Sequence, residues 1–124
     1  MIFGIGTDII EIERIEKMIS RGRLYLETVF TDKEIEYCEG KARASQHYAV
    51  RYAAKEAVLK ALNTGWRDGL AFRDIEVIDD DRGKPQLCVH SRVKDWFELH
   101  HIQQTSISLS HGREIAIAVI ILET

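Results

Sequence analysis

The sequence is poor in cysteine and proline and has no long hydrophobic run. Its two cysteines, Cys38 and Cys88, show neither a C-x-x-C spacing nor a second pair, so neither a disulfide framework nor a zinc site is suggested. The longest apolar run, Ile115 to Leu122, falls far short of the ~20 residues that a membrane-spanning helix needs. The N-terminal residues lack the basic start of a signal peptide. We therefore expect a cytoplasmic protein with no membrane partner.

The composition lacks the bias that marks disordered or fibrous chains. Hydrophobic residues make up 45% of the sequence and charged residues 30%, with a single proline. A chain of 124 residues fits one domain, spanning residues 1–124, that buries roughly two thirds of its unfolded surface. The net charge of -3 argues against a nucleic-acid partner, although local clusters matter more than the total.

The segment from Arg51 to Leu62 predicts a long helix at the centre of the fold. It has no glycine or proline, is rich in alanine and leucine, and extends back through Tyr48 and forward to Asn63, with Gly65 as a stop. At about 100° per residue, its apolar side chains cover two sides of the helix. The helix should therefore be largely buried.

Two charged residues, Glu56 and Lys60, interrupt this apolar helix. They lie one turn apart and are bordered by the small residues Ala49 and Ala53, which should leave room beside the charges. On an exposed surface, such a pair is common and contributes only about 0.2–0.5 kcal/mol. A ligand that engages both charges is the alternative.

The N-terminus predicts a strand from Ile2 to Asp8, with the Asp8 carboxylate at its end. Gly4 and Gly6 lie within this strand, before Asp8. They do not indicate a dinucleotide-binding loop, because the third glycine and the βαβ unit are absent.

A basic cluster follows, on and after a helix predicted from Glu11 to Ser20. Isoleucines recur at helical spacing and leave Arg14 and Lys17 elsewhere on the helix, and Arg21 and Arg23 come next. The same helix also carries glutamates, and a surface of mixed charge most often only faces solvent. The sharper interpretation is a negatively charged macromolecular partner.

The middle of the chain predicts a short helix and two strands. Thr31 to Glu34 has the form of a capping box, which starts a helix that ends near Glu39.

Strands are expected from Phe72 to Ile78 and from Gln86 to His90. The acids of the intervening turn, Asp79 to Asp81, are interpreted as solvated, because a calcium loop needs a longer alternating array of oxygen ligands. Residues 64–69 should form a loop with two glycines.

The C-terminal third predicts a helix that Ser91 can cap, followed by a hairpin. The last strand, Ile115 to Leu122, is apolar on both faces and should be central in its sheet. Ser110 and His111 do not suggest a nucleophile and its base, because neighbours in a strand point to opposite sides. His111 either contacts a phosphate or is a structural residue of the turn.

Asp8 and Glu56 are carboxylates that would repel each other in one site without a cation. Mg²⁺ would resolve this repulsion, since it takes few protein carboxylates and keeps positions for water and phosphate oxygens. Lys60, one turn from Glu56, would then lie where phosphate charge accumulates. These three residues form the candidate chemical site.

Four motifs, taken in order, resemble those of the holo-[acyl-carrier-protein] synthases, the short bacterial type of 4'-phosphopantetheinyl transferase. The resemblance covers essentially the whole chain. It departs at Tyr52, where tryptophan is more usual and where we expect only packing to change. The motifs are Gly4-Ile5-Gly6-Thr7-Asp8-Ile9-Ile10-Glu11-Ile12, Arg51-Tyr52-Ala53-Ala54-Lys55-Glu56-Ala57-Val58-Leu59-Lys60-Ala61-Leu62, Gly83-Lys84-Pro85 and Ser108-Leu109-Ser110-His111.

The resemblance implies an α+β fold, the 4'-phosphopantetheinyl transferase fold, with an antiparallel sheet packed against the long central helix. It implies a homotrimer with active sites between subunits. The implied reaction moves the 4'-phosphopantetheine group of coenzyme A to a serine of apo acyl carrier protein and releases adenosine 3',5'-bisphosphate, in fatty acid biosynthesis.

Individual roles are implied in the same way. Asp8 and Glu56 would bind Mg²⁺, Lys60 would steady charge on the transferred phosphoryl group, and Glu56 or a metal-bound water would take the serine proton. The expected contacts of adenosine bisphosphate are Arg51, Gly83, Lys84, Pro85 and His111. The expected contacts of the acidic carrier protein are Arg14, Arg21 and Arg23.

Two other functions would use some of these residues. A magnesium-dependent phosphohydrolase of coenzyme A-like substrates would combine the same carboxylates and lysine with water as the nucleophile. A non-catalytic module that binds carrier protein would need only the basic cluster. The presence of Asp8, Glu56 and Lys60 together argues against the second.

Overall fold

The computed structural model describes residues 1–64 and 69–124. Most of the predicted loop of residues 64–69, and Gly65 as the stop of the central helix, lie outside the described residues. Among the described residues, no helix is long and apolar enough to cross a bilayer. In chain order the elements are strand β1 (Ile2–Glu11), helices α1 (Ile12–Ile19), α2 (Arg23–Val29), α3 (Asp32–Glu39) and α4 (Ala44–Ala61), a 3-10 helix (Phe72–Asp74), strands β2 (Ile75–Asp79) and β3 (Pro85–Val89), helix α5 (Ser91–Leu99), and strands β4 (Gln104–His111) and β5 (Ile115–Glu123).

A three-stranded antiparallel sheet with the order β1, β5, β4 forms one layer of the fold. Strand β5 is central, as its two apolar faces predicted, and its Val119 lies opposite both Thr7 of β1 and Ser108 of β4. Successive side chains of a strand point to opposite faces. The inner face of β5 is completely buried and consists of Ala116, Ala118, Ile120 and Leu122.

Helix α4 packs on this inner face at very short range. A Cβ atom at Gly4 would clash with the main-chain carbonyl oxygen of Ala61, and one at Gly6 would clash with that of Ala57. Only glycine allows a strand to approach a helix so closely at these positions. The glycine pair therefore serves packing, in agreement with the rejection of a dinucleotide-binding loop.

Helix α4 is buried on most of its circumference, as predicted, and begins at Ala44, about one turn before Tyr48. Ala49 and Ala53 are fully buried in the core. The expectation that they leave open space beside Glu56 and Lys60 is therefore wrong. Their small size instead lets the helix lie close to its neighbours.

The ammonium group of Lys55 is completely buried beneath α4. It donates hydrogen bonds to Glu34 Oε1 at 2.7 Å, to the carbonyl oxygen of Phe72 at 3.1 Å and to that of Ile75. The other carboxylate oxygen of Glu34 accepts from the Val77 amide at 3.0 Å. Burial lowers the pKa of Lys55, and the charge of Glu34 opposes this shift. One ion pair thus joins α3, α4 and β2.

The predicted capping box starts helix α3. Thr31 Oγ1 accepts from the Glu34 amide at 3.3 Å, and Glu34 Oε1 accepts from the Thr31 amide at 2.9 Å. The same oxygen of Glu34 receives the bond from Lys55. The helix cap is therefore anchored directly to the buried ion pair.

Two local predictions differ from the structure, and one helix was not predicted. Residues Phe72–Asp74 form a 3-10 helix rather than the start of a strand, and β2 begins at Ile75. Ser91 does not cap α5, because the N-cap residue is His90 and no side-chain cap bond forms. Helix α2 was not predicted at all. It has seven residues and buries only Leu26 and Val29, which is too short a pattern to show helical periodicity.

Replacing Lys55 by methionine should destabilise the fold strongly, because Glu34 then keeps a buried charge without its partner. We expect a loss of about 3–5 kcal/mol in the free energy of unfolding, measured by urea denaturation followed by circular dichroism. Lys60→Met is the matched control on the same helix. Its side chain is 54% exposed, so the change should stay below about 1 kcal/mol. Equal, small effects of both substitutions would contradict this role of the buried pair.

Candidate active site

Asp8 and Lys60 meet where β1 crosses α4. Lys60 Nζ lies 3.0 Å from Asp8 Oδ1 and 3.1 Å from the carbonyl oxygen of Thr7. Strand β1 continues to Glu11, so Asp8 lies within the strand, opposite Ala118, and not at its end as predicted. Strand alternation turns its side chain towards the helix.

Glu56 completes this group from the same helix as Lys60. Burial raises the pKa of Glu56, and the charge of Asp8 raises it further. The Tyr52 hydroxyl and the charges of Lys60 and Arg14 act in the opposite direction. The three residues of the candidate chemical site are therefore brought together, and the two carboxylates influence each other electrostatically.

Tyr52 contacts this group in a way that its position in the motif did not suggest. Burial and the nearby Glu56 charge raise the pKa of the Tyr52 hydroxyl to about 12, and this hydroxyl in turn acts to lower the pKa of Glu56. The guanidinium of Arg14 lies 6.0 Å from the Tyr52 ring centroid. The expectation that tyrosine here changes only packing is therefore wrong.

Arg51 lies on a different side of α4 and is only 3% exposed. Its guanidinium stacks over the ring of Tyr37 at 4.2 Å, donates to the carbonyl oxygen of His47 at 3.3 Å and lies 3.7 Å from Asp79 Oδ1. Within the described residues its Nε has no hydrogen-bond partner. A buried guanidinium with a free N–H is well placed to donate a hydrogen bond to a further anionic oxygen.

Two histidines lie near Arg51 and form with it a second group of residues, separate from Asp8, Glu56 and Lys60. The rings of His47 and His111 lie 6.1 Å apart between centroids. Burial lowers the pKa of His47, and the nearby charges of Arg51 and His111 lower it further. Lys41 lies 4.7 Å from the centroid of the Tyr37 ring, on which Arg51 also stacks. Groups able to bind an anion are therefore concentrated here, and His47 was not among the predicted residues.

The Gly83-Lys84-Pro85 turn is ordered by Asp80, whose carboxylate accepts from the amides of Arg82 and Lys84, each at 2.9 Å. Gly83 has a φ of 79°, which favours glycine. Asp80 and Asp81 fit the interpretation as solvated turn residues, whereas Asp79 does not, because it pairs with the buried Arg51. The turn borders a cleft between β3 and β4, lined by Lys84, Pro85, Gln86, Leu87, Thr105, Ser106 and Ile107.

The basic cluster divides into two parts. Arg14 and Arg21 line a groove that also contains Lys17, Met18, Tyr25 and Tyr52. Arg23 instead forms ion pairs with Glu27 at 3.0 Å and with Asp32 at 3.8 Å. Through Tyr52, the groove adjoins Glu56. Arg14 and Arg21 are thus better placed than Arg23 to meet a partner that reaches the carboxylates.

Comparison with known proteins decides the family. The family model of the 4'-phosphopantetheinyl transferase superfamily matches residues 4–120. The chain belongs to this superfamily. It is 46% identical over 124 residues to the holo-[acyl-carrier-protein] synthase of Geobacter sp. (strain M21), with 99% of each chain covered.

Solved structures of this superfamily agree with the fold. The holo-(acyl-carrier-protein) synthase of Bacillus anthracis str. Ames, in complex with CoA (3',5'-ADP), is 40% identical with a TM-score of 0.82, and the match covers 100% of this chain and 98% of that one. The synthase of Neisseria meningitidis is 32% identical with a TM-score of 0.90 over 100% of both chains. The predicted family and the predicted α+β fold with an antiparallel sheet are confirmed.

The pKa of Glu56 should respond to its two neighbours in opposite directions. In metal-free protein, Asp8→Asn should lower it, because the Asp8 charge raises it, whereas Tyr52→Phe should raise it, because the hydroxyl stabilises the carboxylate. Carbon NMR of isotope-labelled glutamates, followed through a pH titration, measures both. Tyr37→Phe is the matched control and should leave the Glu56 titration unchanged. Shifts of the same sign in the first two variants would contradict the described geometry.

Proposed function

We propose that this chain transfers the 4'-phosphopantetheine group of coenzyme A to a serine of apo acyl carrier protein and releases adenosine 3',5'-bisphosphate, as a step in fatty acid biosynthesis. The observation that carries the proposal is the convergence of Asp8, Glu56 and Lys60 in a member of this superfamily. Its relative of known structure from Bacillus anthracis binds CoA (3',5'-ADP). Both cysteines are free, which suits a reducing compartment such as the cytoplasm.

Asp8 and Glu56 would hold Mg²⁺. The donor set fits this ion, because it consists of carboxylate oxygens, and the mutual repulsion that contributes to the raised pKa of Glu56 is what a cation would relieve. A bound Mg²⁺ supplies positive charge that neutralises phosphate oxygens. Lys60, whose half-exposed ammonium lies 3.0 Å from Asp8 Oδ1, would add positive charge for the transferred phosphoryl group.

Glu56 is also suited to accept the proton of the carrier-protein serine. Burial and the Asp8 charge raise the pKa of Glu56 in the metal-free chain, and a bound Mg²⁺ would lower it again, so either Glu56 or a water held by the ion would take this proton. The Tyr52 hydroxyl favours the ionised form of this carboxylate. Most of the catalytic effect in phosphoryl transfer comes from positioning and electrostatics, to which these fixed side chains contribute.

The adenosine bisphosphate end of coenzyme A would bind the second group of residues. Arg51 offers an Nε without a protein partner in the described residues, and His111 lies beside His47 on the same side of the fold. The turn of Gly83, Lys84 and Pro85 borders the neighbouring cleft. Phosphate oxygens would supply the missing acceptors for these donors.

The decisive test is to incubate the protein with Mg²⁺, coenzyme A and apo carrier protein and to weigh the carrier by mass spectrometry. We expect the carrier to gain one phosphopantetheine arm. Asp8→Ala and Glu56→Ala should abolish this gain while the circular dichroism spectrum stays that of the wild type, because metal ligands serve the chemistry more than the core. Wild-type rates for either variant would refute the assigned site. Cleavage of coenzyme A without any change in the carrier would instead support a phosphohydrolase.

The acidic carrier protein would dock on the groove that contains Arg14 and Arg21. Arg14→Glu should weaken carrier binding with little change for coenzyme A, and added salt should weaken wild-type binding in the same way. Titration calorimetry with each substrate measures the two affinities. Lys94→Glu makes the same charge reversal on an exposed lysine of α5 and should have little effect. Equal losses for both substrates in Arg14→Glu would point to misfolding.

We further propose a homotrimer with active sites shared between subunits. The outer face of the three-stranded sheet exposes apolar side chains, with Ile5 at 59% and Ile9 at 62% exposure. Such a surface is typical of an interface between chains. Arg51 and Glu56 are five residues apart on α4, which separates them by about 140° around the helix. One coenzyme A molecule would therefore need Arg51 from one chain and the carboxylates from its neighbour.

Ile5→Glu should disrupt the assembly, because it places a charge in the centre of the apolar outer face. Light scattering coupled to size exclusion should give the mass of a trimer for the wild type and of a smaller species for the variant. Leu24→Glu is the matched control, since Leu24 is 83% exposed on α2, away from the sheet. A monomeric wild type, or a trimer that survives Ile5→Glu unchanged, would contradict this interface.

A further inference from the structure

Strands β2 and β3 form a second, two-stranded antiparallel sheet, on which three potential metal ligands converge. Glu76 of β2 lies directly opposite Cys88 of β3 in the antiparallel register. His90 follows two residues after Cys88, so its side chain leaves the chain on the same face. One carboxylate oxygen, the thiol sulfur and one ring nitrogen all lie within 4.8 Å of one another. Among the described residues, no other trio of histidine, cysteine or acidic side chains is this close.

The spacing of these atoms suits a small tetrahedral ion. His90 Nε2 lies 3.1 Å from Glu76 Oε1. Two ligands that each lie about 2.0 Å from a tetrahedral metal are separated by about 3.3 Å. The existing pair therefore needs only a small adjustment to share an ion, and the Cys88 sulfur is close enough to complete a third corner.

A neighbouring residue already orients the carboxylate. Thr31 Oγ1 donates to Glu76 Oε2, the oxygen that does not face His90. Thr31 is itself fixed by the capping box of α3. On the other strand, the His90 amide donates to the carbonyl oxygen of Asp74 at 2.8 Å, which fixes the backbone of the histidine. Outer hydrogen bonds of this kind are typical of metal ligands, because they hold the ligand atoms in position.

Access and burial also fit a metal site. The Glu76 side chain is only 7% exposed, whereas that of His90 is 45% exposed. An ion could therefore enter from the histidine side and bind against a carboxylate that is largely shielded from water. Shielding strengthens the attraction between a cation and its ligands.

We propose that Glu76, Cys88 and His90 bind a divalent cation of the zinc type, with a fourth position open to water. A thiolate and an imidazole favour zinc and similar borderline-soft metals, and they disfavour magnesium and calcium, which prefer oxygen ligands. The site is therefore chemically distinct from the all-oxygen pair of Asp8 and Glu56. It does not depend on the proposed transferase activity.

Cobalt(II), a spectroscopic substitute for zinc, tests this proposal in the full-length protein after chelator treatment. Wild-type protein should develop a sulfur-to-cobalt charge-transfer band and the visible bands of four-coordinate cobalt, and one equivalent of zinc should remove them. Cys88→Ser should abolish the charge-transfer band, and His90→Gln should weaken cobalt binding at least about tenfold. Zinc should also raise the melting temperature of the wild type but not of these variants.

Two control variants distinguish this site from the second thiol and from the Asp8 carboxylate. Cys38→Ala removes the other thiol, which is buried and whose pKa burial raises to about 12, so the cobalt spectrum should persist. Asp8→Ala should also keep the spectrum. Cobalt bound at Asp8 would have no sulfur ligand and would not give the charge-transfer band. The proposal is overturned by a wild type without a charge-transfer band, by a band that survives Cys88→Ser, or by one that disappears in Asp8→Ala.

Discussion

The buried ion pair between Lys55 and Glu34 is the interaction on which the arrangement of the site depends. Lys55 donates to Glu34 and to two main-chain carbonyl oxygens next to β2, so rotation of α4 would leave a buried charge without partners. Glu56 is the next residue and projects about 100° further around the helix. The pair therefore determines which side of α4 faces β1 and where the Glu56 carboxylate points.

Strand β1 provides the second constraint, and it uses one face for both packing and chemistry. Gly4 and Gly6 allow the strand to approach the backbone of α4 closely. Asp8 follows the same alternation and therefore shares their face. The close approach that the glycines permit brings the Asp8 carboxylate within 3.0 Å of Lys60. A larger residue at either glycine would move the carboxylate as well as the strand.

Two features that one chain leaves unexplained have the same physical explanation in the proposed trimer. The outer face of the sheet is apolar and exposed, although an apolar sheet face is normally buried against another layer of the protein. The residues proposed to bind coenzyme A are divided between two sides of α4. Packing of the outer faces against each other would bury the apolar surface, and contact between neighbouring chains would bring the two groups of residues together.

The sequence by itself determined the local features. The capping box at Thr31, the course of α4 and the C-terminal hairpin follow from spacing along the chain. The motifs with Asp8, Glu56 and Lys60 were identified by their resemblance to a known family, which the family match supports. The single domain over residues 1–124 stays a prediction. Only the tertiary structure decided that Lys55 is buried, that the Tyr52 hydroxyl interacts electrostatically with Glu56 and that Glu76 faces Cys88 and His90. Spacing determines which residues share a face of one helix or strand, whereas contacts between elements depend on register and packing, which no short segment encodes.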